Sequence, residues 1–431
     1  MEQSSQHFYS SPTKITPVTQ LKRGADDGFL LDDTLRPACK FLFYSGMLPN
    51  LNLRRTDNRA MYAVRCLLTA TTISLLSLYI VFLSVQLMVQ FQTGTRVLDV
   101  VMLTYMFVIT SSALFFHCHL LIHEKNLIEF LKDWKKIEID SLTQSNRAKK
   151  RVAAGIYGVY LIYLVTFPSL IYSHNQIRPN EVIFYSNLDW VRDSFHINLV
   201  SISSALGMYV SWVLFALGEI IPTTFFYHAG CIIQDLQQQL LDTSITSSTS
   251  SNNIMMSNLY VQFKKQEQPY RRIWAKYETV LGCVKQGNRM FQGPILWLHT
   301  SFFVIECLSL YFISKSYELQ LRKPLILSFV GAWSVLTIQI IAVFRLMSHP
   351  YSSREKLRNT VADLLSSKWD SLPEEDRQLL EAFQERLGSE KMGVMPFDLY
   401  TVRPSNLLNI LSLIVTYSVV LFQIQPRTGN L

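Results

Sequence analysis

Charge is what this chain has least of. Asp, Glu, Lys and Arg make up 17% of its 431 residues, against about 25% in an ordinary soluble domain. The deficit is local: long stretches carry no charge, and charged residues crowd between them. A helix crosses the hydrocarbon layer in about 20 residues. Several uncharged stretches reach that length, so a soluble enzyme and a disordered protein are both excluded. Cysteine is sparse too. Of Cys39, Cys66, Cys118, Cys231, Cys283 and Cys307, none falls in a segment assigned outside the cell and none has C-x2-C spacing, so neither disulfides nor zinc are indicated. Residues 1–40 lack the apolar core of a cleavable signal peptide, and no N-x-S/T sequon occurs. Neither G-x-x-x-x-G-K-S/T nor G-x-G-x-x-G is present, so nucleotide hydrolysis is not indicated. No internal repeat is visible, which weakens a transporter reading.

What is present is a set of seven apolar segments, at about 62–91, 98–122, 152–173, 195–233, 293–317, 324–347 and 404–424. The fourth exceeds what a bilayer needs and is expected to continue as helix beyond the interface. Basic residues alternate between the connections. Eight precede the first segment (Lys14, Lys22, Arg23, Arg36, Lys40, Arg54, Arg55, Arg59) and eight follow the second, whereas Arg96 alone follows the first. Seven follow the fourth and about nine the sixth; Arg178 and Arg192 follow the third, and about three the fifth. Basic loops stay in the cytoplasm. The N-terminus is therefore expected inside and the C-terminus outside, and the net charge of +8 calls for a membrane rather than nucleic acid. A G-protein-coupled receptor has the opposite orientation, and neither D-R-Y after segment three nor N-P-x-x-Y in segment seven occurs, so no G protein is expected as partner.

The expected fold is an all-α integral membrane protein of seven transmembrane helices with cytoplasmic helical extensions. Residues 1–35 are read as a disordered cytoplasmic N-terminus and 36–233 as helices one to four. A cytoplasmic linker and helix at 234–292 precede helices five and six at 293–347. Cytoplasmic helices at 348–403 then lead to a last helix and extracellular tail at 404–431. Within 348–403, Ser352-Ser353-Arg354-Glu355 has the form of a capping box, followed by Leu357, Val361, Leu364 and Leu365 on one face. Leu379, Leu380, Phe383 and Leu387 align between Pro373 and Gly388. Ile273, Tyr277, Val280, Leu281 and Val284 align between 270 and 290. These amphipathic pieces are expected to pack together beneath the spans. Residues 243–258, rich in Ser, Thr and Asn, read as a flexible linker.

Segment seven is built differently from the others. It has no charge between Pro404 and Pro426, yet it carries a polar row. At about 100° per residue, Asn409, Ser412, Thr416, Val419 and Gln423 all fall within about 40° of Ser405. Only Val419 interrupts the polarity. Polar side chains avoid lipid and turn to a helix partner or to water. Packing between helices needs one or two such residues; a stripe the length of the helix suits a pore wall. One helix cannot enclose a channel, so several copies around an axis are required. Gln423 would form a ring near the outer mouth, with Val419 or Val420 as an apolar ring one turn below. Amides coordinate a partly hydrated cation, and a valine ring gates by dewetting. With no carboxylate on the stripe, weak cation selectivity is expected.

The stretch Thr416-Tyr417-Ser418-Val419-Val420-Leu421-Phe422-Gln423 resembles the T-Y-x5-Q-F signature near the C-terminus of insect gustatory receptors, with Ile424 in place of the final Phe. Seven spans, an internal N-terminus, a long link after span four and a chain ending just past span seven extend the resemblance over about residues 36–426. The family is similar to insect odorant receptors. The resemblance implies a tetrameric ligand-gated cation channel of the plasma membrane, in chemosensory neurons, with the seventh helix lining a central pore. It places Thr416 and Gln423 at the pore and Tyr417 behind it, makes the cytoplasmic helices the main subunit contacts, and leaves homotetramer and heterotetramer open. The ligand implied is a small-molecule tastant: a sugar, a bitter compound or carbon dioxide. No cofactor is implied. An odorant receptor or co-receptor, and a non-channel carrier or scaffold, are the alternatives.

The resemblance also implies a ligand site among the outer halves of spans two to six. There the sequence supplies Tyr105, Tyr160, Tyr163, Phe167, Tyr209, Trp212, Glu306, Tyr311, Phe312 and Trp333. Glu306 stands out, because a carboxylate in lipid costs about 2.5–3.5 kcal/mol or more and must face a cavity or a partner. Aromatic rings with one or two polar anchors suit a sugar ring or a flat alkaloid. His117-Cys118-His119 with His123 has the look of a metal cluster, but Leu120 stands where H-E-x-x-H needs Glu. These histidines are read as interfacial.

Overall fold

The computed structural model describes residues 59–93, 97–141, 197–250, 269–318 and 323–423, together with Ala154 and Gly158. Among them the order is α1 (Arg59–Thr93), α2 (Val97–Ile122), α3 (Glu124–Ser141), α4 (Ile197–Ser250), α5 (Pro269–Glu318), α6 (Lys323–Met347), α7 (His349–Lys368), α8 (Glu374–Ser389) and α9 (Pro404–Gln423). Two 3-10 turns, Trp369–Ser371 and Pro396–Asp398, join the last three. Helices α1, α2, α4 and α5 each hold a stretch long and apolar enough to cross a membrane, and α6 and α9 carry shorter apolar stretches. Six of the seven expected segments are thus helical. The third, at 152–173, lies outside the described residues apart from Ala154 and Gly158, and so does 1–35.

Position in the bundle follows from the width of each helix's buried face. Along α1, the buried residues Leu76, Tyr79, Leu83, Gln86 and Gln90 recur every three or four positions, with Thr69 two turns earlier, a narrow seam that touches its neighbours on one side only. The apolar stretch of α1 is 22% buried; that of α4 is 82% buried. Helix α4 is therefore the axis of the protomer. At about 1.5 Å per residue its 54 residues reach about 80 Å, well beyond a bilayer. Helix α5, with 50 residues, does the same beside it. Hydroxyls tie the apolar faces together, as Trp297 Nε1 of α5 donates to Ser112 Oγ of α2 at 2.9 Å and the Ser112 and Ser301 hydroxyls meet at 2.8 Å.

The amphipathic pieces do pack together at one end of the bundle. Tyr277 of α5 meets Phe383 of α8 edge to face at 5.4 Å between centroids. Arg354 Nε of α7 donates to Leu387 O of α8 at 2.8 Å, and Leu357 and Val361 are buried. Helices α4 and α5 run unbroken across the positions 233/234 and 292/293 at which the sequence suggested divisions.

Two local expectations are corrected. Residues 243–250 are helix, not linker: Thr243 Oγ1 and Ser244 Oγ donate to Gln239 O (2.8 Å) and Leu241 O (2.7 Å), so the hydroxyls turn back on their own helix. Lys368 Nζ of α7 then bonds Ser244 O. Residues 251–258 lie outside the described part. Nor is Ser352 a cap. Helix α7 starts at His349 with Pro350 in its first turn, where proline's fixed φ suits a helix start, and Ser352 N already bonds Ser348 O at 3.1 Å. Helix α3 was missed within a Lys-rich link, although Leu127, Phe130, Leu131 and Trp134, all buried, have helical spacing.

Helix α7 lies along the extension of α4, and the closeness depends on Gly230. A Cβ there would lie 2.5 Å from His349 Cδ2 and 2.8 Å from the His349 carbonyl carbon. Gly230→Ala is expected to cost about 1–3 kcal/mol through forced displacement. Gly282→Ala meets nothing within 4 Å and should gain about 0.5–1 kcal/mol from helix propensity. Thermal unfolding of the two variants in detergent checks the contrast.

An ion network secures α8. Arg386 Nε lies 2.8 Å from Glu278 Oε1 and Arg386 Nη1 2.7 Å from Glu390 Oε1, while Lys285 Nζ lies 2.7 Å from Glu390 Oε2. Lys285, then Arg386, hold the Glu390 carboxyl below its usual range. A depressed carboxyl contributes stability above its unfolded pKa and loses it as pH falls through the folded value. Hydrogen exchange over residues 386–392, corrected for intrinsic rates, should accelerate below about pH 4, and Glu390→Gln should remove that dependence.

Candidate functional site

Helix α9 touches its own protomer along one edge. Ile414 is buried, and Leu407, Ile410, Leu411 and Ser418 are half-buried. At about 100° per residue these positions centre about 180° from Ser405. Cys307 Sγ of α5 lies 3.8 Å from Ile414 O, which also accepts from Ser418 Oγ at 2.7 Å. Tyr417 stands edge-on to Phe303 at 5.5 Å with half its surface open. The expected polar row therefore lies on the edge opposite the attachment. Ser405, Asn409, Ser412, Thr416, Val419, Val420 and Gln423 are all exposed. Thr416 Oγ1 donates to Ser412 O at 2.9 Å, a bond within its own helix. A row of polar atoms on an otherwise apolar helix, turned away from its protomer, suits water or an equivalent row on another copy.

The segment entering α9 is strapped down by contacts that no motif in the sequence announces. Asn288 of α5 spans the strap with both ends of its amide: Nδ2 donates to Gly393 O at 2.7 Å, and Oδ1 accepts from Met395 N at 3.1 Å. Val402 N donates to Val394 O at 2.8 Å. The Tyr400 hydroxyl meets His299 Nδ1, and the His299 ring stacks on Phe344 at 4.2 Å. Arg403 sits 4.8 Å over the Tyr351 ring. Between these anchors Phe397 takes φ 49° and Asp398 φ 56°, values that ordinary side chains hold only where surroundings over-determine them.

Part of the expected ligand set comes together deeper in the bundle. Tyr105 of α2 meets Trp212 of α4 edge to face, 6.0 Å between centroids and 71° between planes. Glu306 of α5 is 2% exposed, and its Oε1 accepts from Thr337 Oγ1 of α6 at 3.0 Å. Ser309 and Glu306 both face the Tyr105 phenol, and the Trp333 indole lies beside the Glu306 carboxylate. Tyr311 and Phe312 form a separate cluster with Val101. Tyr209 lies on α4, but its side chain, like Tyr160, Tyr163 and Phe167, is outside the described set. A second buried carboxylate escaped the sequence reading: Glu219 of α4 accepts from Gln339 Nε2 of α6. The rule that singled out Glu306 applies equally to a Glu in LFALGEIIP. Of the histidines, His119 Nε2 lies 2.9 Å from Met290 O, and its ring is 4.5 Å from His123.

A family model described as 7tm chemosensory receptor matches residues 35–427. Among solved structures, the insect olfactory receptor OR5 from Machilis hrabei in complex with eugenol is similar, with a TM-score of 0.62 at 12% identity, over 91% of this chain and 100% of that one. A second structure of OR5 gives a TM-score of 0.60 at the same identity and coverage. No curated protein matches.

Asn288→Ala leaves a carbonyl and an amide of the strap without partners. It should cost about 1–3 kcal/mol and raise hydrogen exchange at residues 393–395. Asn288→Asp keeps the acceptor for Met395 N and should be milder.

Proposed function

We propose, since this chain belongs to the 7tm chemosensory receptor family, that it is a gustatory receptor working as a ligand-gated, weakly selective cation channel. The carrying observation is the orientation of α9, whose polar row points away from the edge that attaches it to the described part of its protomer. Symmetry-related copies, four in this reading, bring these rows to a common axis and enclose water. Gln423 then rings the outer mouth and offers amide oxygens to a partly hydrated cation, with Val419 and Val420 as the apolar constriction below. A small tastant binds among α2, α4, α5 and α6, at Tyr105, Trp212, Glu306 and Trp333. Closure follows from packing of the valines, and opening from outward displacement of α9, which is fastened along one edge and by its strap. The protein is placed in the plasma membrane of chemosensory neurons.

The test is access of water to the row. Thr416→Cys and Ser412→Cys should make ligand-evoked or basal current sensitive to a cationic methanethiosulfonate, whereas Ile414→Cys should stay insensitive. Gln423→Ala should change unit conductance and ion preference. A carrier or scaffold predicts no current from the chain alone and no effect at Gln423. Eugenol, the molecule held by the OR5 structure, serves as probe for the odorant reading: activation by eugenol but by no tastant would reassign the receptor to that side.

A further inference from the structure

Resting on that reading, we infer that the ligand carries a protonated amine and that Glu306 is its counter-ion. Three helices meet at this carboxylate and a fourth lies one ring behind. Helix α5 supplies it, α6 supplies Thr337 and Trp333, and α2 supplies Tyr105, whose ring is edge-on to Trp212 of α4. Two neutral donors stand beside Glu306, the Trp333 indole N–H and the Thr337 hydroxyl, and the second is divided. Thr337 has one hydroxyl proton, and its Oγ1 lies 3.0 Å from Glu306 Oε1 and 2.9 Å from Trp333 O. One proton shared between a carboxylate and a carbonyl serves neither fully. Among the described residues no Lys, Arg or His side chain acts on Glu306. A buried carboxylate left in this state is costly unless an opposite charge is brought to it.

The rings decide which charge. An ammonium group placed at Glu306 would have Tyr105 and Trp333 beside it, with Trp212 one ring further out against Tyr105, and Trp and Tyr rings attract cations. A sugar makes the opposite demand: it needs several polar partners for its hydroxyls. Apart from the carboxylate itself, the polar groups shown beside it among the described residues are the Ser309 hydroxyl, the Tyr105 phenol, the Trp333 indole N–H and the Thr337 hydroxyl, already shared. Aromatic faces with a single under-served carboxylate select a cation over a polyol. The N–H of a protonated amine also supplies the donor that Thr337 only half provides.

Matched pairs that differ in the charged group alone test this: tryptamine against tryptophol, and phenethylamine against 2-phenylethanol, with fructose and sucrose as polyol probes. On the purified full-length protein, the amines should raise the thermal midpoint and the alcohols and sugars should not. In cells expressing the chain, the amines should evoke current, with the half-activating concentration at least tenfold higher in Glu306→Gln and intermediate in Glu306→Asp, which keeps charge with less reach. Equal response to amine and alcohol, response to sugars alone, or an unchanged amine response in Glu306→Gln overturns the inference. If Glu306→Gln fails to fold, Glu306→Asp and the matched pairs on the parent protein carry the test. Basal current that responds to Gln423→Ala while no amine binds would sink the amine assignment and leave the channel reading standing. Midpoint shifts by amines with no current from any variant would do the reverse.

Discussion

Phe225 sits where the membrane bundle meets the helical layer beneath it, and the rest of the architecture is arranged around its ring. It contacts Phe130 and Trp134 of α3 edge to face, each at 4.7 Å between centroids, with Phe291 of α5 at 6.5 Å. It comes so close to α5 that only Gly287 fits against it. Three helices are locked at one level by rings that are themselves buried. Because α4 and α5 pass through this level without a break, a tilt of either at one side of the junction has to appear on the other side as well. The closely packed interior offers no slack to absorb it. The two internal prolines, Pro222 and Pro294, flank the junction on the bundle side, where local relaxation of the helix ladder is available.

Against this rigid pair, α9 is an appended element. It has one edge of contact, made of small or aliphatic groups around Ile414, and a strap whose clamps come from α5 and α7. Such an arrangement separates two jobs. The strap fixes where the helix begins, through Asn288, His299 and Arg403, and the edge sets how far it leans. The contact at Cys307 and Ile414 involves no charge, so the lean is resisted by packing alone.

Much of the fold was legible because lipid imposes a simple rule on composition. Segment lengths and the polar row both follow from the expense of placing a polar group in hydrocarbon. The helical layer was legible from the spacing of Leu380, Phe383 and Leu387. What escaped had other origins. The run at 243–250 is helical, and the Thr243 and Ser244 hydroxyls bond back to that helix, a satisfaction invisible in composition. Helix α3 was hidden by the lysines on its outer face. The strap was hidden because its clamps are single residues far apart in sequence, Asn288 to Gly393 and His299 to Tyr400, and a lone Asn or His announces no partner. Glu219 carries the same signal as Glu306, a lone carboxylate in an apolar run. Of the ligand set, Tyr105, Trp212, Glu306 and Trp333 gather, whereas Tyr311 belongs to a different cluster; residue type alone does not distinguish the two.

The narrow seam of α1 carries one more implication. Most of that helix's surface touches none of the other described helices, and an apolar face that meets hydrocarbon distinguishes Leu from Val or Met weakly if at all. Positions such as Leu67, Leu78 and Met88, well exposed on α1, are free to drift among aliphatic residues while the seam holds the helix in place. Outer walls built this way let sequences diverge until little letter-by-letter likeness survives, as with the 12% shared with OR5 across 91% of this chain, and still return the same shape.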